Sequence, residues 1–83
     1  MLYSAYILYS PSRDRYYIGS TQDVDARLLR HNAGGSRYTK TGIPWELVYT
    51  ESFPTRSEAV QREKYIKRQK SRAFIERLIS EKG

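Results

Sequence analysis

Apolar and aromatic residues crowd positions 3 to 9, Tyr-Ser-Ala-Tyr-Ile-Leu-Tyr, and predict a strand. Ser10-Pro11-Ser12-Arg13-Asp14 breaks that run with turn chemistry, because proline presets φ and Ser or Asp side chains bond back to nearby backbone. Residues 15 to 19, Arg-Tyr-Tyr-Ile-Gly, read as the return strand of a hairpin. The period then changes. Thr21-Gln-Asp-Val opens a helix in which Thr21 or Asp23 can cap free backbone N–H groups. Val24, Leu28 and Ala33 lie at helical spacing, with Arg27 and His31 one turn apart. Asn32-Ala33-Gly34-Gly35 ends it, since paired glycines terminate helices at little steric cost.

Residues 36 to 44 read as a basic loop, and residues 45 to 52, Trp-Glu-Leu-Val-Tyr-Thr-Glu-Ser, as a third strand. Thr55-Arg56-Ser57-Glu58 matches a capping box, with threonine at the cap and glutamate at the third helical position. The helix it opens should run to about Arg68. A last helix, from about Arg72 to Ser80, carries Phe74, Ile75, Leu78 and Ile79. The order is ββαβαα. It predicts an α+β fold in which a small, mainly antiparallel three-stranded sheet is flanked by helices, all within a single domain over residues 1–83.

Composition narrows the partners. Fifteen Lys and Arg against nine Asp and Glu leave a net charge of +6, which favours polyanions: DNA, RNA or an acidic membrane surface. The chain has no cysteine, so disulfides, Cys-based zinc sites and thiol nucleophiles are excluded, and a reducing compartment is expected. No apolar run approaches the ~20 residues of a membrane span. The opening Met1-Leu2-Tyr3-Ser4-Ala5-Tyr6 has no basic n-region and predicts no signal peptide, so the expected location is cytoplasmic. Eight tyrosines are many for 83 residues, and most should pack in strands.

Four features carry candidate chemistry. Ala59, Glu63 and Ile66 share one stripe of the capped helix, so Glu63 should face the sheet. A carboxylate there is paired, with Lys67 four residues on as one partner, or it coordinates a metal. Arg27 and His31 either present a cation and an imidazole to one spot or serve as an exposed arginine and a hydrogen-bonded histidine. Tyr6 and Tyr17, on neighbouring strands, either bring two phenols together or are core tyrosines with satisfied hydroxyls. Arg62, Lys64, Lys67, Arg68, Lys70 and Arg72 form a basic run opposed only by Glu63. With Arg37 and Lys40 in the loop, it is either a phosphate-tracking surface or a solvated helix face.

Taken in order, these residues resemble the GIY-YIG nuclease family. Tyr6 is followed, after ten intervening residues, by Tyr17-Ile18-Gly19, then by Arg27 and His31 on the next helix and a lone Glu63 on a later one. Ser20-Thr21, the stretch Pro44-Trp45-Glu46-Leu47-Val48-Tyr49 and Arg62-Glu63-Lys64-Tyr65-Ile66-Lys67 are similar to the small stand-alone bacterial branch, akin to the N-terminal domain of the nucleotide-excision-repair (UvrC-type) members. The resemblance covers about residues 3 to 75. Two departures stand out. The first half of the motif reads Ser4-Ala5-Tyr6, keeping only the tyrosine. Ser20 follows the glycine where the repair members carry a lysine, so a phosphate contact falls to Lys40 or Lys67 or is missing.

The resemblance implies metal-assisted hydrolysis of a DNA phosphodiester. Glu63 would hold one Mg²⁺ or Mn²⁺, and Arg27 would neutralise charge developing on phosphorus. One of Tyr6 and Tyr17 would activate the attacking water while the other orients it. An ordinary tyrosine titrates near 10, so Arg27, the metal or a hydrogen bond to His31 would have to assist. Arg37, Lys40, Lys64, Lys67, Arg68 and Lys70 would track the DNA, whether structure-specifically or not. Two other readings remain: a nucleic-acid-binding module of this fold that does not cut, and an adaptor whose basic helix meets an acidic protein partner.

Overall fold

The computed structural model describes residues 1–35 and 37–82 of the chain. Its elements follow the expected order. Strands β1 (Tyr3–Ser10) and β2 (Arg15–Thr21) lead into helix α1 (Val24–Asn32). A single 3₁₀ turn, Lys40–Gly42, precedes β3 (Glu46–Phe53), α2 (Arg56–Arg68) and α3 (Arg72–Lys82). The sheet is antiparallel throughout, in the order β2-β1-β3. The α+β architecture read from the sequence is therefore the one the chain adopts.

The ends of the elements moved by a few residues, each for a local reason. β2 continues past Gly19 to Thr21 because Ser20 and Thr21 still pair with Ala5 and Ser4. Helix α1 begins only at Val24, because Asp23 is its cap and accepts from the Ala26 N–H at 3.0 Å. Thr21 instead accepts from the Asp23 N–H and closes the turn before it. Ala33 is the exposed C-cap residue rather than part of the buried stripe. Trp45 precedes β3 and is buried. The Thr55 cap is where expected: its hydroxyl accepts from the Glu58 N–H at 3.2 Å and donates to the Glu58 carboxylate at 2.8 Å. Ser36, in the basic loop read over residues 36 to 44, and Gly83, at the end of the domain read over residues 1–83, lie outside the described residues.

Alternation along β1 sorts the core. Tyr6 and Leu8, opposite Gly19 and Tyr17, share one face and pack with Trp45, Val24, Leu28 and Ile43. Ala5 and Ile7, opposite Ser20 and Ile18, point to the other face. Helix α2 covers that face, burying Ala59 and Ile66 and bonding through Arg62 to Glu51 and through Glu63 to Ser20. A register shift between Ile7 and Leu8 marks a bulge in the β1–β3 pairing, placing Tyr49 opposite Ile7 and Leu47 opposite Leu8. Because β1 is central, β2 is an edge. Its outer side is where groups from both faces of the sheet can meet. Among the described residues no helix is long and apolar enough to cross a membrane.

Candidate active site

The aromatic half of the site hangs from β1, β2 and α1. Tyr6 is 1% exposed. Its hydroxyl lies 3.3 Å from His31 Nε2, and the other ring nitrogen, Nδ1, lies 2.7 Å from the Thr39 hydroxyl. A neutral imidazole donates from one nitrogen and accepts at the other, and each hydroxyl can take the complementary role. Thr39 is tied down in turn: its carbonyl accepts from the Trp45 indole N–H at 2.7 Å. Asn32 brackets the Trp45 backbone, its Oδ1 accepting from the Trp45 N–H at 2.6 Å and its Nδ2 donating to the Trp45 carbonyl at 3.1 Å. Tyr17 presents its ring 6.4 Å from that of Tyr6 and edge-on to His31 at 4.8 Å.

Electrostatics separates these groups. Burial, with the neighbouring Tyr17, pushes the Tyr6 phenol up to about 12; Arg27 opposes the rise and Glu63 adds to it. Burial also holds His31 below its ordinary 6.5, helped by the positive charges of Arg27 and Arg30. At neutral pH Tyr6 therefore keeps its proton and His31 carries no charge. Arg27, half-buried one turn before His31 on α1, is the cation felt by both.

The acidic half comes from α2. The Glu63 side chain is 19% exposed. Ser20 donates to its Oε1 at 2.6 Å and Lys67 Nζ lies 2.6 Å from its Oε2. The stripe reading and the Lys67 pairing are thus both realised: Glu63 sits at the boundary of the buried face, with Ser20 and Lys67 as its partners. Lys67 also lines a cleft of about 420 Å³ along the outer side of β2, together with Tyr16, Tyr17, Ile18 and Tyr38. The two halves of the site therefore meet at the edge strand, joined by Lys67.

Ser20 and Thr39 are the site residues that sequence reasoning passed over in this role. Ser20 stands where the repair members carry a lysine, and the structure makes it the hydrogen-bond donor to Glu63. Thr39 carried no signal: it lies in an irregular loop, eight positions from His31.

The expected phosphate-tracking residues separate into groups. Lys64, Lys67, Arg68 and Lys70 line, with Gln61, a second cleft of about 560 Å³ at the end of α2. Arg37 and Lys40 are exposed in the loop before β3, away from that cleft. Arg62 and Arg72 are engaged within the protein. Arg62 bonds Glu51 at 2.9 Å, and Arg72 pairs with Asp14 and Glu76.

For a divalent ion the donor set is narrow. Among the described residues no three His, Asp or Glu side chains cluster, so Glu63 is the carboxylate on offer. That fits Mg²⁺ or Mn²⁺, because Mg²⁺ commonly takes one or two carboxylates and fills its shell with water and phosphate oxygens. The ion would compete with the Lys67 ammonium for Oε2.

A family model described as the GIY-YIG catalytic domain matches residues 2–76. The chain belongs to that family. GIY-YIG domains are nuclease domains. A UPF0213 protein of Streptococcus pneumoniae serotype 4 is 40% identical over 83 residues, covering 98% of this chain and 83% of that protein. A UPF0213 protein of Staphylococcus epidermidis is 52% identical over 52 residues, and the match spans 61% of this chain and 63% of that one. Among solved structures, the solution NMR structure of the UPF0213 protein BH0048 from Bacillus halodurans superposes with a TM-score of 0.63 at 39% identity. That match covers 100% of this chain and 87% of that one.

Proposed function

We propose that the chain is a metal-dependent endonuclease that hydrolyses phosphodiester bonds in DNA and works in the cytoplasm. The observation that carries this reading is that Lys67, paired with Glu63, and Tyr17 line one cleft at the outer side of β2, with Tyr6, His31 and Arg27 behind it. A divalent ion held by Glu63, when bound, supplies stabilisation of charge on the phosphate and the leaving oxygen.

The chain's own residues do the rest. Lys67 leaves Glu63 and meets a phosphate oxygen in the cleft, supplying the charge that Ser20 lacks. Arg27, half-buried beside Tyr6 and His31, offsets negative charge as it develops on phosphorus. Tyr17 lines the cleft, whereas Tyr6 is sealed from solvent and holds its proton to about 12. That contrast supports Tyr17, once its phenol proton has passed to solvent, as the phenolate that takes the proton from water. Tyr6 then serves as an orienting donor through His31. Water is the nucleophile, and no bond to the protein forms.

A module that binds without cutting is favoured by one observation: both Glu63 oxygens are already engaged. A nicking assay on supercoiled and branched DNA decides between them, run with Mg²⁺, with Mn²⁺ and with EDTA, on the unaltered chain and on Glu63→Gln. Metal-dependent cutting that Glu63→Gln loses is the expected result. Cutting that persists in Glu63→Gln refutes the site, and salt-sensitive binding without cutting in either metal establishes the binding module. Tyr17→Phe should lose far more rate than Tyr6→Phe; small and equal losses would remove the tyrosine-base step.

A further inference from the structure

Tyr38 is 69% exposed, yet its neighbour Thr39 is fully buried. The bonds that fix Thr39, to the His31 ring and to the Trp45 indole, are those that build the site. The exposed ring is therefore carried on backbone held by the core. Leaving a tyrosine ring in water forgoes about 25 cal/mol for each Å² of apolar surface that burial would have gained, so the ring invites a partner.

Its surroundings say which partner. Tyr38 is shared by the cleft that holds Tyr17 and Lys67 and by two neighbouring concavities, both reached by Tyr16 and Arg15. Arg13 lines one of these and Lys70 the other. Asp14, the acid in this stretch, is already paired with Arg72. An aromatic face set among cations is the recipe by which proteins hold single-stranded nucleic acid: the cations follow the phosphates and the ring takes a base. A base inside a duplex has both faces covered by its neighbours in the stack. Only an unpaired or splayed base offers a face to a side chain. The Tyr38 ring lies 5.9 Å from that of Tyr17 at 45°, too close and too tilted for a base to slip between them, so the base must rest on the outward face of Tyr38.

We infer that Tyr38 is a stacking subsite for an unpaired nucleotide next to the phosphate held at Glu63, Lys67 and Tyr17. This rests on the nuclease reading and narrows its substrate class. The preferred DNA carries an unpaired base beside the cut, as in a single strand, a flap or a frayed junction, in place of continuous duplex.

Fluorescence anisotropy tests it, with a short fluorescein-labelled DNA single strand, the same strand carried as a flap, and the same strand fully annealed. All are titrated in EDTA at one salt concentration. Stacking contributes enough per base that Tyr38→Ala should weaken binding of the single strand and the flap by about 5- to 150-fold. Duplex binding should change by less than about twofold. Tyr38→Phe keeps the face and loses the hydroxyl, so it should match the unaltered chain. The dependence on salt should stay the same in both variants, because no charge is removed.

Single-strand binding by Tyr38→Ala within about twofold of the unaltered chain overturns the inference. So does an equal loss on single strand and duplex, or a Tyr38→Phe loss as large as that of Tyr38→Ala. In each of those cases metal-dependent cutting that Glu63→Gln abolishes would still stand. If the unaltered chain binds none of the three DNAs, the nuclease reading fails along with the subsite.

Discussion

Gly19 stands opposite Tyr6 across the β1–β2 ladder, and the space its side chain would fill is taken by the Tyr6 ring. A Cβ at position 19 would lie 2.6 Å from the Tyr6 hydroxyl oxygen and 2.7 Å from Cζ. Gly19 is not among the positive-φ glycines, so its backbone suits any residue and the demand is for room. Tyr6 cannot swing away, because it is buried on every side and its hydroxyl meets His31. Overpacking of this kind costs about 1–3 kcal/mol. Pushing the ring also disturbs the bond to His31, which contributes about 1 kcal/mol. Gly19→Ala should therefore destabilise the fold by about 2–4 kcal/mol.

For a domain of this size each kcal/mol shifts Tm by about 4–8 °C, so the melting point should fall by at least about 8 °C. A double-mutant cycle isolates the cause. In a Tyr6→Leu background the phenol atoms are gone, and Gly19→Ala should cost less than about 1 kcal/mol. Circular-dichroism melts of the four proteins measure it. An equal cost in both backgrounds, or a cost below about 0.5 kcal/mol in the unaltered chain, would show that the ring does not impose the glycine.

Two further outcomes follow from the site. Lys67→Ala frees Glu63 Oε2 from an ion pair that is half open to solvent. Such pairs contribute about 0.3–0.5 kcal/mol, so Mn²⁺ affinity by electron paramagnetic resonance should rise about twofold while metal-dependent cutting falls; weaker Mn²⁺ binding would contradict the competition. His31, the single histidine of the chain, has its folded-state pKa below 6.5. Between that lowered value and 6.5 the unfolded chain binds more protons than the folded one, so stability is complete above about 6.5 and is lost as pH falls through the window. The ring-proton NMR signal of His31 should titrate below 6.5, and a midpoint at or above that value would remove the effect.

Much of this architecture is written locally. The Thr55–Glu58 box placed the start of α2, because a cap acts over a single turn. The Pro11–Asp14 turn between two aromatic runs placed the hairpin in the same way. The order Tyr6, Tyr17, Arg27, His31 and Glu63 was legible as a set. The structure brings Tyr6, Tyr17 and His31 into contact, with Arg27 and Glu63 near enough to act on the Tyr6 phenol.

What the chain alone left open are pairings between distant residues. Ser20 meets Glu63 across 43 positions, and Arg72 is drawn from the basic run to Asp14 across 58. Arg62 turns to Glu51 on β3, and Thr39 closes the chain of bonds behind His31. Serines, threonines and arginines are common surface residues, and nothing in their immediate neighbours says which will be folded onto a carboxylate or a ring nitrogen. Periodicity and capping are properties of a few consecutive residues and so belong to the sequence. Which hydroxyl reaches Glu63, and which lysine stands over the cleft, is decided only when α2 packs across the sheet and its groups reach the edge of β2.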